Sequence, residues 1–254
     1  MRAAAAQQGW VQLVADYLSD PASWQGEGGL WQRLVEHVVL SGVAVAVAVV
    51  VAVPLGVLLG HTGRGGGLAV AVGNVGRAVP ILALIALLFM LPAPFGPGDV
   101  SVVVALALFA LPPLLTNTHT GMREVDRATV EAARGMGMSA RQLVLRVELP
   151  LAVPLLLTGV RLAALQTVAT ASVAGLVAGP GLGRIVSEGF VTYTPSRYLG
   201  AALLIAVLAL AVEGVLVLLQ RSLDRVGRAR RGSRRRAGAP PAEDGVAALG
   251  FTAP

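Results

Sequence analysis

Apolar residues in this chain fall in long unbroken blocks, separated by short polar or Gly/Pro-rich breaks, rather than at one face of a helix or at alternate strand positions. The first block runs from Val38 to Gly60 without a charge. At 1.5 Å per residue it reaches roughly 34 Å, enough to cross a hydrocarbon layer. Its Ala-Val alternation imitates a strand, but an isolated strand in lipid leaves its backbone unpaired, so a helix containing Pro54 is expected. A second block, about Leu68–Leu91, follows the turn His61–Gly67 and is interrupted by Arg77 and Pro80. A broken helix of that kind is tolerated only where protein or a cavity covers it. Further blocks run from Val100 to about Thr118, from Leu149 to Ala178, and from Leu199 to about Leu219. The pattern predicts an all-α membrane protein with about five transmembrane helices.

The segments between and around the blocks are of three kinds. Residues 1–36 form a leader in which Trp10, Val11, Leu13, Val14, Tyr17 and Leu18 share one helical face, so either a short interfacial helix or an unstructured segment is expected. No apolar stretch there has the length of a signal-peptide core, and no cleavage is expected. Residues 119–148 carry Arg123, Arg127, Arg134, Arg141, Arg146 and four acids, and cannot span. Asp126 reads as the N-cap of a helix ending at Gly135, and Ser139 with Gln142 as a capping box for a second short helix ending at Pro150. Gly179–Gly183 is a Gly-rich turn, and Arg184–Arg197 a loop or short amphipathic helix. A membrane domain over 37–222 then gives way to a tail, 223–254, whose Arg-, Pro-, Ala- and Gly-rich composition cannot form a core.

Composition sharpens this picture. The chain is 55% hydrophobic and 13% charged, about half the charge of a soluble domain. All 20 basic residues are Arg. Without Lys there is no Walker A loop or Schiff base, and without Cys no disulfide, thiolate nucleophile or iron–sulfur cluster. His37, His61 and His119 lack metal-ligand spacing, so no metal site is expected. The Arg residues cluster at block ends and in the tail without interleaved aromatics, which argues against nucleic acid. With five spans, 14 Arg fall on one side and 4 on the other. The Arg-rich side is expected to be cytoplasmic, placing the N-terminus outside and the C-terminus inside a plasma membrane.

The central loop reads Glu131-Ala132-Ala133-Arg134-Gly135-Met136-Gly137, with Glu148-Leu149-Pro150 downstream. This resembles the EAA loop in membrane subunits of binding-protein-dependent ABC importers. Small Ala side chains allow close approach, a carboxylate gives one directional contact, and Gly permits a sharp bend. Leu111–Gly121 before the loop, Gly159-Val160-Arg161 after it, the Gly179–Gly183 turn and Pro54-Leu55-Gly56 are similar to the osmoprotectant permeases, which import glycine betaine, choline, carnitine and related compounds. The resemblance covers about residues 30–222; Arg77-Ala78-Val79-Pro80 and the Arg-rich tail depart from the family's pattern. It implies the type I ABC importer permease fold with a cytoplasmic coupling helix, in which Glu131, Ala132, Ala133, Gly135 and Gly137 meet the ATPase. It also implies four partners: a cytoplasmic ATPase that binds the ATP, a second permease subunit identical or paralogous to this one, an extracytoplasmic solute-binding protein, and membrane lipid. The chain itself would hold no cofactor and catalyse nothing.

Arg77, Arg161 and Glu213 lie inside apolar blocks, where a charge costs about 2.5–3.5 kcal/mol on insertion scales. They are expected to face protein or water, either as an ion pair within the bundle or as contacts for a translocating carboxylate. Gln166, Thr167, Thr170 and Ser172 read as a polar stripe serving helix packing or lining a pathway. A sibling importer for amino acids or polyamines is the alternative. An ion-coupled transporter or channel fits less well, because no internal repeat is evident.

Overall fold

The computed structural model describes residues 9–237 except 68–70, 72, 74, 75, 77 and 178, with side chains described as far as Ser222. The chain divides into two compact units, Met1–Val217 and Leu218–Pro254. Every regular element among the described residues is helical. They are α1 (Trp10–Ser19), α2 (Pro21–Trp24), α3 (Leu30–Thr62), α4 (Ile81–Phe89), α5 (Asp99–Arg123), α6 (Arg127–Gly135), α7 (Ala140–Leu143), α8 (Leu149–Ala171), α9 (Leu182–Val191) and α10 (Pro195–Ala237). A π-helical turn, Val144–Glu148, joins α7 to α8, and a 3₁₀ stretch, Ser172–Val177, follows α8.

The membrane class holds. Four described helices are long and apolar enough to cross a bilayer: Leu30–Thr62, Asp99–Arg123, the run Ala140–Val177 and Pro195–Ser222. The remaining expected crossing, Leu68–Leu91, is described only in part, as α4 beginning after Pro80. Observed helices overrun the apolar blocks at their ends. α3 starts at Leu30 because the Arg33–Glu36 pair, one turn apart at 2.8 Å, stays within the helix, and it stops at Gly63, whose φ of +68° ends the helical path.

Small residues set the packing. Leu40, Ala44, Ala48, Ala52, Gly56 and Gly60 recur every fourth residue along α3 and are all buried. Lipid is as apolar as a helix surface, so membrane helices associate through close van der Waals contact, and small side chains permit it. α5 occupies this stripe: a Cβ added to Gly56 would stand 2.7 Å from Thr118 Cβ, and one on Gly60 only 2.4 Å from Met122 Cβ. α8 packs on α5 in the same manner. A Cβ on Gly159 would stand 2.8 Å from Asn117 Cβ, and one on Gly121 3.1 Å from the Ala152 carbonyl.

The expected end of the second short helix at Pro150 is corrected. The helical path continues through the π turn into α8, with Pro150 in its first turn. Pro lacks an N–H and its ring collides with the carbonyl four residues back. The π turn removes that conflict by widening the helix, so that the Leu149 N–H bonds to the Val144 carbonyl five residues earlier. α1 is helical, and Tyr17 and Leu18 pack with Leu30, Leu182, Ile185 and Ala201, which settles the leader's described part as structured. Arg184–Arg197 is largely α9, a helix, rather than a loop.

Candidate coupling hairpin and intramembrane polar groups

The hairpin between α5 and α8 is built from local signals. Asp126 caps α6, accepting from the backbone N–H of Ala128 at 3.3 Å and of Thr129 at 3.1 Å, and from the Thr129 hydroxyl at 2.9 Å. The Thr129 hydroxyl foremost, then the two amides, hold its carboxyl below the usual carboxylate range. α6 ends in a Schellman arrangement. The Met138 N–H bonds to the Ala133 carbonyl and the Gly137 N–H to that of Arg134, with Gly137 at φ +81°. α7 opens with the expected capping box: the Ser139 N–H donates to Gln142 Oε1 at 2.9 Å and the Gln142 N–H to Ser139 Oγ at 3.4 Å.

α6 ends at Gly135 as expected, and the structure divides the roles of the motif's Gly and Ala residues. The left-handed conformation falls on Gly137, whereas Gly135 is the last residue of α6 and a Cβ there would meet open space. The Gly in the middle of the motif therefore leaves room outside the hairpin, and the bend belongs to the second Gly. The Ala pair is also split: Ala132 is exposed and Ala133 is buried beneath the helix, because consecutive residues point about 100° apart on a helix. The exposed residues of the motif are Glu131, Ala132, Arg134, Gly135, Gly137 and Met136, whose side chain is 77% exposed. Met136 was not read as a site residue.

Behind the hairpin lies a cleft of about 250 Å³, lined by Gly60, His61, Arg123, Glu131, Arg134 and Glu148 among others. His61, at the end of α3, meets Glu148, the last residue of the π turn, with Nδ1 2.6 Å from Oε2. One of the two atoms donates and the other accepts, according to the imidazole tautomer. Neither residue stood out in the sequence as part of a site. The available signals were weak: His61 follows the first apolar block directly, and Glu148 is the acid before Leu-Pro.

At the other end of the bundle, Glu36 Oε2 accepts from the Gly181 N–H at 3.0 Å and from Arg33, while Gln32 bonds Oε1 at 2.7 Å. The fully buried His37 bonds the Val168 carbonyl through Nε2 at 2.9 Å. The Gly-rich turn is thereby fixed onto α3. Gly181, at φ +92°, leaves only 3.1 Å between a hypothetical Cβ and His37 Nδ1.

Between these ends, Arg161 Nε stands 3.0 Å from Glu213 Oε1, joining α8 to α10. Of the three intramembrane charges, these two are paired; Arg77 lies outside the described residues. The expected polar stripe is not one surface. Gln166 and Thr170, one turn apart, are half-buried, whereas Thr167 is fully buried and Ser172 bonds back to the Ala169 carbonyl at 2.7 Å.

The family model for binding-protein-dependent transport system inner membrane components matches residues 52–225. A choline transport system permease protein of Bacillus subtilis is 36% identical over 200 residues, 79% of this chain and 91% of the relative. A carnitine transport permease protein of Listeria monocytogenes is 37% identical, over 72% of this chain and 81% of its own. Among solved structures, an inward-facing methionine ABC transporter superposes with a TM-score of 0.70 at 24% identity, over 81% of this chain and 99% of that one; it speaks to the fold alone. With its helical path, its small-residue packing and these matches in agreement, the chain belongs to the family of binding-protein-dependent transport system inner membrane components.

Proposed function

We propose that this chain is the permease subunit of an ABC importer for glycine betaine- or choline-type osmoprotectants, driven by ATP hydrolysis on a separate subunit. The observation that carries the solute class is the set of relatives above 30% identity over most of both chains, whose names specify choline, carnitine and glycine betaine. The absence of Lys supports hydrolysis elsewhere, since no Walker A loop exists here. On this reading Glu131, Ala132, Gly135 and Gly137 form the surface that docks the ATPase, with Met136 as an apolar anchor and Ala133 holding the helix to the bundle. The Arg161–Glu213 pair fastens α10 to α8, and Gln166 and Thr170 flank the solute pathway. A second permease subunit, an extracytoplasmic binding protein and lipid complete the surroundings, with the N-terminus outside and the C-terminus cytoplasmic.

Uptake of labelled choline and glycine betaine by cells that have only this importer, against the deletion strain, tests the solute class. Unchanged uptake with loss of an amino acid or polyamine instead would reassign the protein to a sibling importer. Glu131→Lys at matched abundance tests the docking surface: loss of ATPase retention on membranes is expected, and normal retention with normal uptake would reduce the hairpin to a solvated loop.

A further inference from the structure

The only polar contact described between α3 and the root of the hairpin joins residues 87 positions apart in sequence, His61 and Glu148. Its carboxylate is nearly out of solvent, with Glu148 5% exposed. A buried carboxylate demands a partner, and a group removed from one side of such a pair leaves the other uncompensated. The partner comes from a different helix, whose end packs on α5 through the close approach of Gly60 to Met122 and of Gly63 to Arg123. The contact therefore constrains two elements at once.

The position of Glu148 gives the constraint a consequence. It closes the five-residue π turn, where one extra residue is wound into the helix and the ladder runs from Leu149 to Val144. Such turns are frequent at functional sites. Rewinding to α would turn α6 and α7 by about 100° and shift them by about 1.5 Å relative to α8. Holding the Glu148 side chain to a fixed imidazole opposes that change of register. The bond lies in the cleft that Glu131, Arg123, Arg127 and Arg134 also line, between the hairpin and the end of α3.

We infer that His61 and Glu148 form a latch that fixes the register of the π turn and transmits displacement of the coupling hairpin to α3, so that they are positioning residues for coupling rather than for ATPase docking. This rests on the docking role proposed for the hairpin. Ala132, Gly135, Met136 and Gly137 of the outward surface do not line the cleft that holds His61 and Glu148, whereas Glu131 and Arg134 do. Loss of the latch thus separates two measurements that a general loss of structure would move together.

The test uses the assembled transporter in proteoliposomes, at matched permease abundance, and reads ATPase retention, solute-stimulated hydrolysis and choline uptake. His61→Ala is expected to retain the ATPase and its hydrolysis while uptake falls about 10-fold, within the range for residues that carry coupling. His61→Asn, which restores an N–H donor near the position of Nδ1, is expected to recover uptake to within about 3-fold of the native protein on the same scale. The exchange His61→Glu with Glu148→His is expected to recover more than either single change. Native uptake per ATP in His61→Ala, or equal loss in His61→Ala and His61→Asn, would overturn the latch. Glu131→Lys runs alongside: if that variant keeps the ATPase and transports normally, the docking reading fails, whereas the latch alone fails when Glu131→Lys releases the ATPase and His61→Ala is silent.

Discussion

Replacing Glu213 by Leu tests the strongest electrostatic statement the bundle makes. Arg161 Nε and Glu213 Oε1 are 3.0 Å apart, and their side chains are 36% and 27% exposed. In a soluble protein that exposure would mean screening by water and a small effect. Here the pair joins two candidate membrane spans, where screening by bulk water is weaker than at a soluble surface. Glu213 is six residues from Leu219, where its apolar block ends, or about 9 Å along the helix, inside a hydrocarbon layer about 30 Å thick. Glu213→Leu leaves an Arg that cannot lose its charge, at a cost of about 3 kcal/mol. Arg161→Met leaves the Glu213 carboxyl without its partner, which is also destabilising. The double change removes both charges and should lie near the native stability, giving a coupling free energy of about 2–3 kcal/mol, or roughly 30- to 150-fold in the unfolding equilibrium. Denaturant titration of the purified permease in mixed micelles, run as a double-mutant cycle, measures it. Additive single costs would refute the reasoning, because they would mean that the two charges are solvated independently.

Gly60→Leu is expected to destabilise the same protein by about 1–3 kcal/mol through overpacking against Met122, with Met122→Ala restoring part of the loss in the denaturant titration. Gly137→Val forces a branched side chain into φ +81° and should fray the end of α6, seen as faster hydrogen exchange at Met138 and Gly137, while Gly135→Ala leaves exchange unchanged. Asp126→Ala should speed exchange at Ala128 and Thr129. Because the folded-state pKa is depressed, the cap is fully formed above the ordinary carboxylate pKa and is lost only as pH falls through the lower folded value, so native exchange there should be flat across neutral pH once intrinsic rates are divided out. A Cys at Gly96 should react with impermeant reagent in intact cells and one at Gly66 should not; the reverse would invert the proposed orientation.

Local signals were legible where one short stretch contains the whole physical cause. The Asp126 cap and the Ser139–Gln142 box each need only four consecutive residues, and both stand where the spacing placed them. The apolar blocks were legible for the same reason, since a span is decided by length and hydropathy along one segment. Helix ends were less so: α3 begins before its apolar block because charged residues extend a helix as readily as apolar ones once they pair within it. Pro150 misled in the opposite direction. A Pro normally marks a boundary, and only the widened turn before it, which no composition encodes, lets the helix pass.

The least legible features are those that depend on two distant stretches meeting in a particular rotation. The spacing of Ala44, Ala48, Ala52, Gly56 and Gly60 could have been read as a packing face, because a four-residue repeat of small residues has a direct physical meaning. It could not say that Thr118 and Met122 fill it. The same rotation decides the polar groups: once α5 sits in the small-residue groove, the end of α3 is brought beside the hairpin root, and His61 reaches Glu148. An Ala or Gly at each groove position is thus a condition for a polar contact made at the cytoplasmic end of the proposed topology. A bulky residue at Gly56 or Gly60 would part α3 from α5 and strain the His61–Glu148 bond, because His61 follows Gly60 directly on α3.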